Sequence, residues 1–309
     1  MIDLGQERIL ITGGAGFLGT HVQKAFLDSG ARTLLIPRSK DYDLTTEEAA
    51  VRMYSDLDPT VVVHLAAEVG GIGANEAHPG RFFYANMAMG LHVIEQARRY
   101  GVKKLVVVGT VCGYPKHCEV PFVESDLFAG YPEETNAPYG VAKRALSVML
   151  QAYRAEYGLC GVYLLPANLY GPGDNFDPLS SHVIPALIRK FGEAVSESAS
   201  EVELWGTGQA SREFLFAEDA ARGIVLATER YDSPEPVNLG TGQEILIREL
   251  AERIAGLMNY KGHIRWNTTR PDGQPRRCLD TTRARAFGFE ASASLNAGLS
   301  RTVNWWRAA

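Results

Sequence analysis

The apolar positions of the first half of the chain fall in short β-branched runs that alternate with longer helical patterns. Strands are predicted at Arg8 to Thr12, Arg32 to Ile36, Val61 to Leu65 and Leu105 to Val108, and helices at Gly19 to Ser29 and Phe83 to Tyr100. The third and fourth strands are apolar at nearly every position, as strands covered on both faces must be. The pattern predicts an α/β fold, a Rossmann-type doubly wound parallel sheet.

At Pro166 the pattern changes. Gly171-Pro172-Gly173-Asp174-Asn175 and Asp177-Pro178 read as loops before a helical stretch at His182 to Phe191. Glu193 to Glu201 and Tyr231 to Pro236 read as further surface connections. We expect a Rossmann domain over residues 1–167 with a returning segment at about 212–240. Residues 168–211 and 241–309 are expected to form a smaller mixed α/β domain for the substrate.

Composition narrows the function classes. The 309 residues are 46% hydrophobic and 22% charged, with net charge −5 and pI near 5.9, so no basic field offers itself to nucleic acid or an anionic bilayer. No apolar run approaches the roughly 18 residues of a membrane span, and Met1 to Glu7 lacks the features of a secretion signal. A cytoplasmic location is the expectation. Four cysteines without a CxxC pair argue against a disulfide framework and a structural zinc site, and no metal is expected at Cys112, His117 and Cys118.

Gly13-Gly14-Ala15-Gly16-Phe17-Leu18-Gly19 lies between a predicted strand and a predicted helix. Glycines there let the backbone approach a pyrophosphate, and a helix N-terminus supplies amide donors and a favourable dipole. An NAD site of this kind carries an acidic residue about 20 positions on, to accept the ribose 2′-hydroxyl. Arg38 and Lys40 stand there instead, which suits a 2′-phosphate and therefore NADP(H).

Tyr139 and Lys143 are four residues apart, on one face of a helix. A phenol with its ordinary pKa of about 10 is a poor proton relay at neutral pH, and an adjacent ammonium is expected to lower it. Thr110, just past the strand ending at Val108, is placed to hydrogen-bond the same substrate oxygen.

These residues resemble the short-chain dehydrogenase/reductase superfamily, and His64-Leu65-Ala66-Ala67 resembles its extended branch. Within it the chain is similar almost end to end to the GDP-L-fucose synthase family. The matching segments are Val69-Gly70-Gly71-Ile72, Cys112 to Lys116, Asn168 to Pro172, Asp174-Asn175-Phe176, Ser181 to Leu187, Trp205 to Gly208, Arg212 to Leu215 and Pro271 to Arg277. The resemblance implies an NADPH-dependent enzyme that epimerises C3 and C5 of a GDP-4-keto-6-deoxy sugar and then reduces C4. It further implies a homodimer formed through Rossmann-domain helices.

The same resemblance implies the site. Cys112 and His182 fall where the family exchanges protons beside the keto group, and Thr110, Tyr139 and Lys143 where it reduces. The cofactor set is Gly13, Gly16, Phe17, Leu18, Gly19, Arg38, Lys40, Ala66 and Lys143. Asn168, Arg212 and Arg277 match diphosphate contacts, Lys190 matches a further cation, and Val183, Leu187, Leu204 and Trp205 match the guanine pocket.

Structural readings compete at several of these positions. Cys112 fits a small buried hydrophobe, His182 a helix cap, Trp205 core packing, and Arg212 beside Glu213 a structural ion pair. The family usually has serine where Thr110 stands, often with a second serine where Val111 stands, so the sugar is less firmly implied than the chemistry. A related heptose, a nucleotide-sugar 4-epimerase or 4,6-dehydratase that returns its hydride to NAD, and a non-catalytic NADP(H) sensor are the alternatives.

Overall fold

The computed structural model describes residues 1–270 and 272–308; Pro271, which opens the 271–277 segment, and the side chain of Ile72 lie outside it. The first half runs β1 (Arg8–Thr12), α1 (Phe17–Asp28), β2 (Thr33–Leu35), α2 (Glu47–Leu57), β3 (Val61–His64), α3 (Ile72–Ala77), α4 (Pro79–Arg99), β4 (Lys104–Val108), α5 (Ala137–Tyr157) and β5 (Gly161–Pro166). The second runs β6 (Asn168–Tyr170), α6 (Val183–Ser196), β7 (Glu201–Trp205), β8 (Ser211–Phe216), α7 (Ala217–Arg230), β9 (Val237–Leu239), β10 (Glu244–Leu246), α8 (Ile247–Met258), β11 (His263–Asn267), α9 (Thr282–Ala286) and α10 (Leu295–Ala308).

The predicted doubly wound sheet is present: six strands in the order β2-β1-β3-β4-β5-β9, every pair parallel. Every residue of β3, β4 and β5 is buried, because α4 lies along α5 and α1 lies along α7 on the two faces of the sheet. Each fully buried Val, Leu or Ile contributes roughly 1.5–3 kcal/mol. Strand order reverses between β1 and β3, which opens a crevice at their carboxyl ends.

A second core forms between α6 and α8, from Ile184, Leu187, Ile188 and Phe191 against Leu250, Ala251 and Ile254. It is bordered by the three-stranded sheet β10-β8-β6 and the parallel pair β11-β7. The expected return at 212–240 is divided between the two parts. β8 pairs with β6 and β10, whereas β9 joins the large sheet beside β5. The connection expected from Glu193 begins four residues later, because α6 continues to Ser196 with Ala194 buried in the second core. No helix among the described residues is long and apolar enough to cross a membrane.

Candidate functional site

The glycine loop is built for close approach. Gly13 has φ +70°, and a Cβ there would lie 2.8 Å from the Ala66 nitrogen; a Cβ on Gly19 would overlap the Gly13 and Gly14 carbonyl oxygens. Gly16 is different: it is exposed, caps α1 without a side-chain bond, and its missing Cβ would meet only the Gly13 oxygen, at 3.3 Å. The amides of Phe17, Leu18 and Gly19 open the helix and have no intrahelical acceptor. A Cβ at Gly16 would fill a cradle suited to a phosphate, and the residues present fit a dinucleotide.

Arg38 and Lys40 follow β2 and are exposed. The Arg38 carbonyl accepts from the Asp41 and Tyr42 amides, which turns the chain there. Neither side chain has an ion-pair partner among the described residues, so both are free to meet a 2′-phosphate. Arg38→Ala should weaken NADPH roughly ten- to hundredfold, the value of a charge-assisted hydrogen bond, and leave NADH nearly unchanged. Equal losses for both cofactors, read by fluorescence titration, would remove Arg38 from the 2′-phosphate.

The candidate reacting groups Thr110, Cys112 and Tyr139 converge where β4 ends and α5 begins. Pro138 in the first turn of α5 and Gly158, left-handed at φ 74°, fix the ends of that helix. Thr110 Oγ1 accepts from the Cys112 amide at 3.1 Å, and the Thr110 hydroxyl lies near enough to Tyr139 to act on its ionisation. A Cβ on Gly140 would overlap the Cys112 carbonyl, so α5 packs directly on the cysteine's backbone. Arg277 Nη1 stands 3.6 Å from Cys112 Sγ and 3.4 Å from Asn168 Oδ1. Cys112 is therefore half-buried beside a guanidinium, not enclosed among hydrocarbon.

The expected lowering of the Tyr139 pKa is not produced. Burial raises it, the nearby Cys112 adds to the rise, and the Thr110 hydroxyl opposes it. Lys143 instead donates to the Val108 carbonyl at 3.1 Å. Desolvation of a phenolate outweighs the help of its neighbours, so Tyr139 stays a protonated donor at neutral pH.

Burial also takes the Lys143 ammonium down to about 8. Burial first and Lys143 second push His64, bonded through Nδ1 to Thr12 Oγ1 at 2.7 Å, down to about 3, so its ring is neutral. Turnover should fall above about pH 8 as Lys143 loses its charge. In Lys143→Arg, whose guanidinium stays protonated, that alkaline limb should vanish from the residual kcat profile; its persistence would exclude Lys143 as its source. The stability linkage has the opposite sense. Between about 8 and the ordinary lysine value the unfolded chain holds the extra proton, so this group makes stability rise with pH there.

His182 is the N-cap residue of α6, yet its ring makes no capping bond. It keeps exposed surface, and desolvation lowers its pKa. The Gly71 amide donates to the Ser180 carbonyl at 3.2 Å, and a Cβ on Gly71 would sit 2.9 Å from the Ser181 oxygen. Gly71 thus lets the two loops touch just ahead of His182. No hydrogen bond links His182 to Thr110, Cys112 or Tyr139 among the described residues.

Among the nucleotide positions, burial lowers the Arg212 pKa to about 10, and neighbouring Arg277 adds to the lowering. Arg212 donates to the Ser211 carbonyl at 2.7 Å and the Asp272 carbonyl at 3.2 Å, and it forms no ion pair with Glu213. Lys190 donates to the Glu203 carbonyl at 3.0 Å, tying α6 to β7. Leu187 and Leu204 are core residues, 4% exposed each, so of the four only Val183 and Trp205 keep appreciable exposed surface. Trp205 is 54% exposed, against its core-packing reading, with the Arg270 guanidinium 4.9 Å above its ring.

Sequence reasoning missed Gln274. Its Oε1 accepts from Arg277 Nε and Nη2 at 3.1 and 3.0 Å, and its Nε2 donates to the Pro115 and Lys116 carbonyls at 3.1 and 3.0 Å. It thereby aims Arg277 at Cys112. The 271–277 segment matched as a block, and nothing in its spacing marks which residue faces the cysteine.

The NAD dependent epimerase/dehydratase family matches residues 9–240. GDP-L-fucose synthase 1 of Arabidopsis thaliana is 40% identical over 299 residues, covering 97% of this chain and 93% of its own. The chain belongs to that family, in its GDP-L-fucose synthase branch. A GDP-6-OMe-4-keto-L-xylo-heptose reductase from C. jejuni superposes with TM-score 0.92 at 28% identity, covering 97% of each chain. A GDP-L-fucose synthetase from Naegleria fowleri bound to NADP superposes with TM-score 0.91 at 27% identity, over 100% of this chain and 96% of that one.

Proposed function

We propose that the chain is an NADPH-dependent epimerase-reductase that converts GDP-4-keto-6-deoxy-D-mannose to GDP-L-fucose. The observation that carries this reading is the meeting of Thr110, Cys112, Tyr139 and Arg277 in one cluster, in a chain whose relatives are GDP-L-fucose synthases. Residues 1–167 with α7 and β9 would hold the cofactor, and the remaining parts the nucleotide sugar.

The C4 carbonyl acidifies the hydrogens at C3 and C5. Cys112 and His182 remove a proton from one face of each carbon and return one to the other. The enolate charge that forms on O4 is met by the hydroxyls of Thr110 and Tyr139. Bound NADPH supplies the hydride that reaches C4. Tyr139 then gives its proton to O4, and the Lys143 ammonium steadies the phenolate left behind. Asn168, Arg212 and Arg277 bind the diphosphate, while Val183 and Trp205 face the guanine.

A homodimer through α4 and α5 belongs to the same reading, since Tyr84, Leu91, Val148 and Tyr157 leave apolar area exposed on these helices. So does a cytoplasmic location, which suits four free cysteines. A second reading, reduction alone of a related GDP-4-keto-heptose, is favoured by the extra methyl of Thr110 and the likeness to the heptose reductase. The first test is stoichiometry: with GDP-4-keto-6-deoxymannose, one NADPH should be oxidised per product formed. A 4-epimerase or dehydratase returns its hydride and would consume none.

A further inference from the structure

Glu213 of β8 has no exposed surface and faces no cation within ion-pair distance among the described residues. Its carboxylate is held by the backbone. Oε1 accepts from the amides of Thr241, a very short contact, and of Gly242 at 2.9 Å, with the Thr241 hydroxyl at 3.3 Å. Oε2 accepts from the Leu279 amide at 2.6 Å. A Cβ on Gly240 would overlap Oε1, so the turn carries glycine where the carboxylate presses closest.

These contacts join three parts of the fold. The turn at 240–242 links β9 of the large sheet to β10 of the small one. Leu279 ends the segment that carries Arg277, and it stands two residues from that guanidinium. The Glu213 carbonyl also accepts from Asn168 Nδ2 at 2.7 Å. Neighbouring Arg212 projects to the opposite side of the strand, and its interaction with Arg277 is repulsive. Two guanidiniums sharing a cleft push apart unless the backbone of one is anchored.

We infer that Glu213 is the positioning residue for Arg277, holding its segment against the site so that the guanidinium meets the nucleotide diphosphate beside Cys112. This inference rests on the GDP-sugar reading of the site. Glu213 touches neither substrate nor cofactor and acts only through the backbone it grips. In Glu213→Gln one oxygen becomes an amide donor facing an amide donor, and the grip is lost at nearly constant volume.

The test measures GDP and NADPH affinity of the full-length protein by calorimetry, in wild type, Glu213→Gln, Arg277→Ala and the double variant. GDP binding should weaken roughly tenfold or more in each single variant, and the double variant should be little weaker than Arg277→Ala alone. NADPH affinity should not change. Gly240→Ala, which displaces the carboxylate without removing it, should reproduce the GDP defect and covers the case in which Glu213→Gln does not fold.

Independent, multiplying losses in the double variant would overturn the inference, as would equal loss of NADPH binding, the mark of a general folding defect. Wild-type GDP affinity in Glu213→Gln with weakened affinity in Arg277→Ala would defeat the role of Glu213 alone. Wild-type affinity in Arg277→Ala would defeat the reading of the site together with the inference.

Discussion

Tyr139→Phe is expected to slow NADPH oxidation by the 4-keto sugar roughly 10²–10⁴-fold, the usual worth of a positioned proton donor, with NADPH affinity unchanged. The phenol is the group that burial keeps protonated, and without it hydride arrival at C4 leaves an alkoxide with no acid to meet it. Rapid-mixing absorbance on the variant checks this. Unchanged turnover would take Tyr139 out of the reaction, and a parallel loss of NADPH binding would assign it to cofactor binding instead.

Cys112→Ser separates the two halves of the chemistry. A serine hydroxyl ionises far less readily than a thiol, so exchange of deuterium from solvent into C3 and C5 should fall roughly 10²–10⁴-fold. Direct reduction of the 4-keto group should fall less than about tenfold, because the Thr110 and Tyr139 hydroxyls that meet O4 remain. Mass spectrometry of recovered sugar, with and without NADPH, reads both rates. Equal losses would mean that Cys112 only packs beneath α5, where Gly140 rests on its carbonyl.

Much of this site was legible because its pieces are local. The glycine loop, the strand before it, the helix after it and the Tyr139 to Lys143 spacing are short-range patterns, and periodicity fixed the elements that carry them. The direction of the Tyr139 pKa was not legible, since it depends on how much water α5 and the Cys112 loop exclude. Nor was the employment of Lys190 and Arg212, whose charges were visible but whose backbone partners lie in other segments. Gln274 and Glu213 act across segments 158 or more and 66 residues away, beyond the reach of any local pattern. Nor was the sheet that β8 joins legible, since its apolar run looks the same in either one.

The central claim is that one cleft epimerises before it reduces. Incubating the protein with NADPH and GDP-4-keto-6-deoxy-D-mannose in deuterated water, and reading the product by proton NMR, tests this most directly. The account predicts GDP-L-fucose with deuterium at C3 and C5 and one NADPH spent per molecule. A reduced sugar that keeps protium at both carbons and its original configuration would contradict it, leaving a reductase alone.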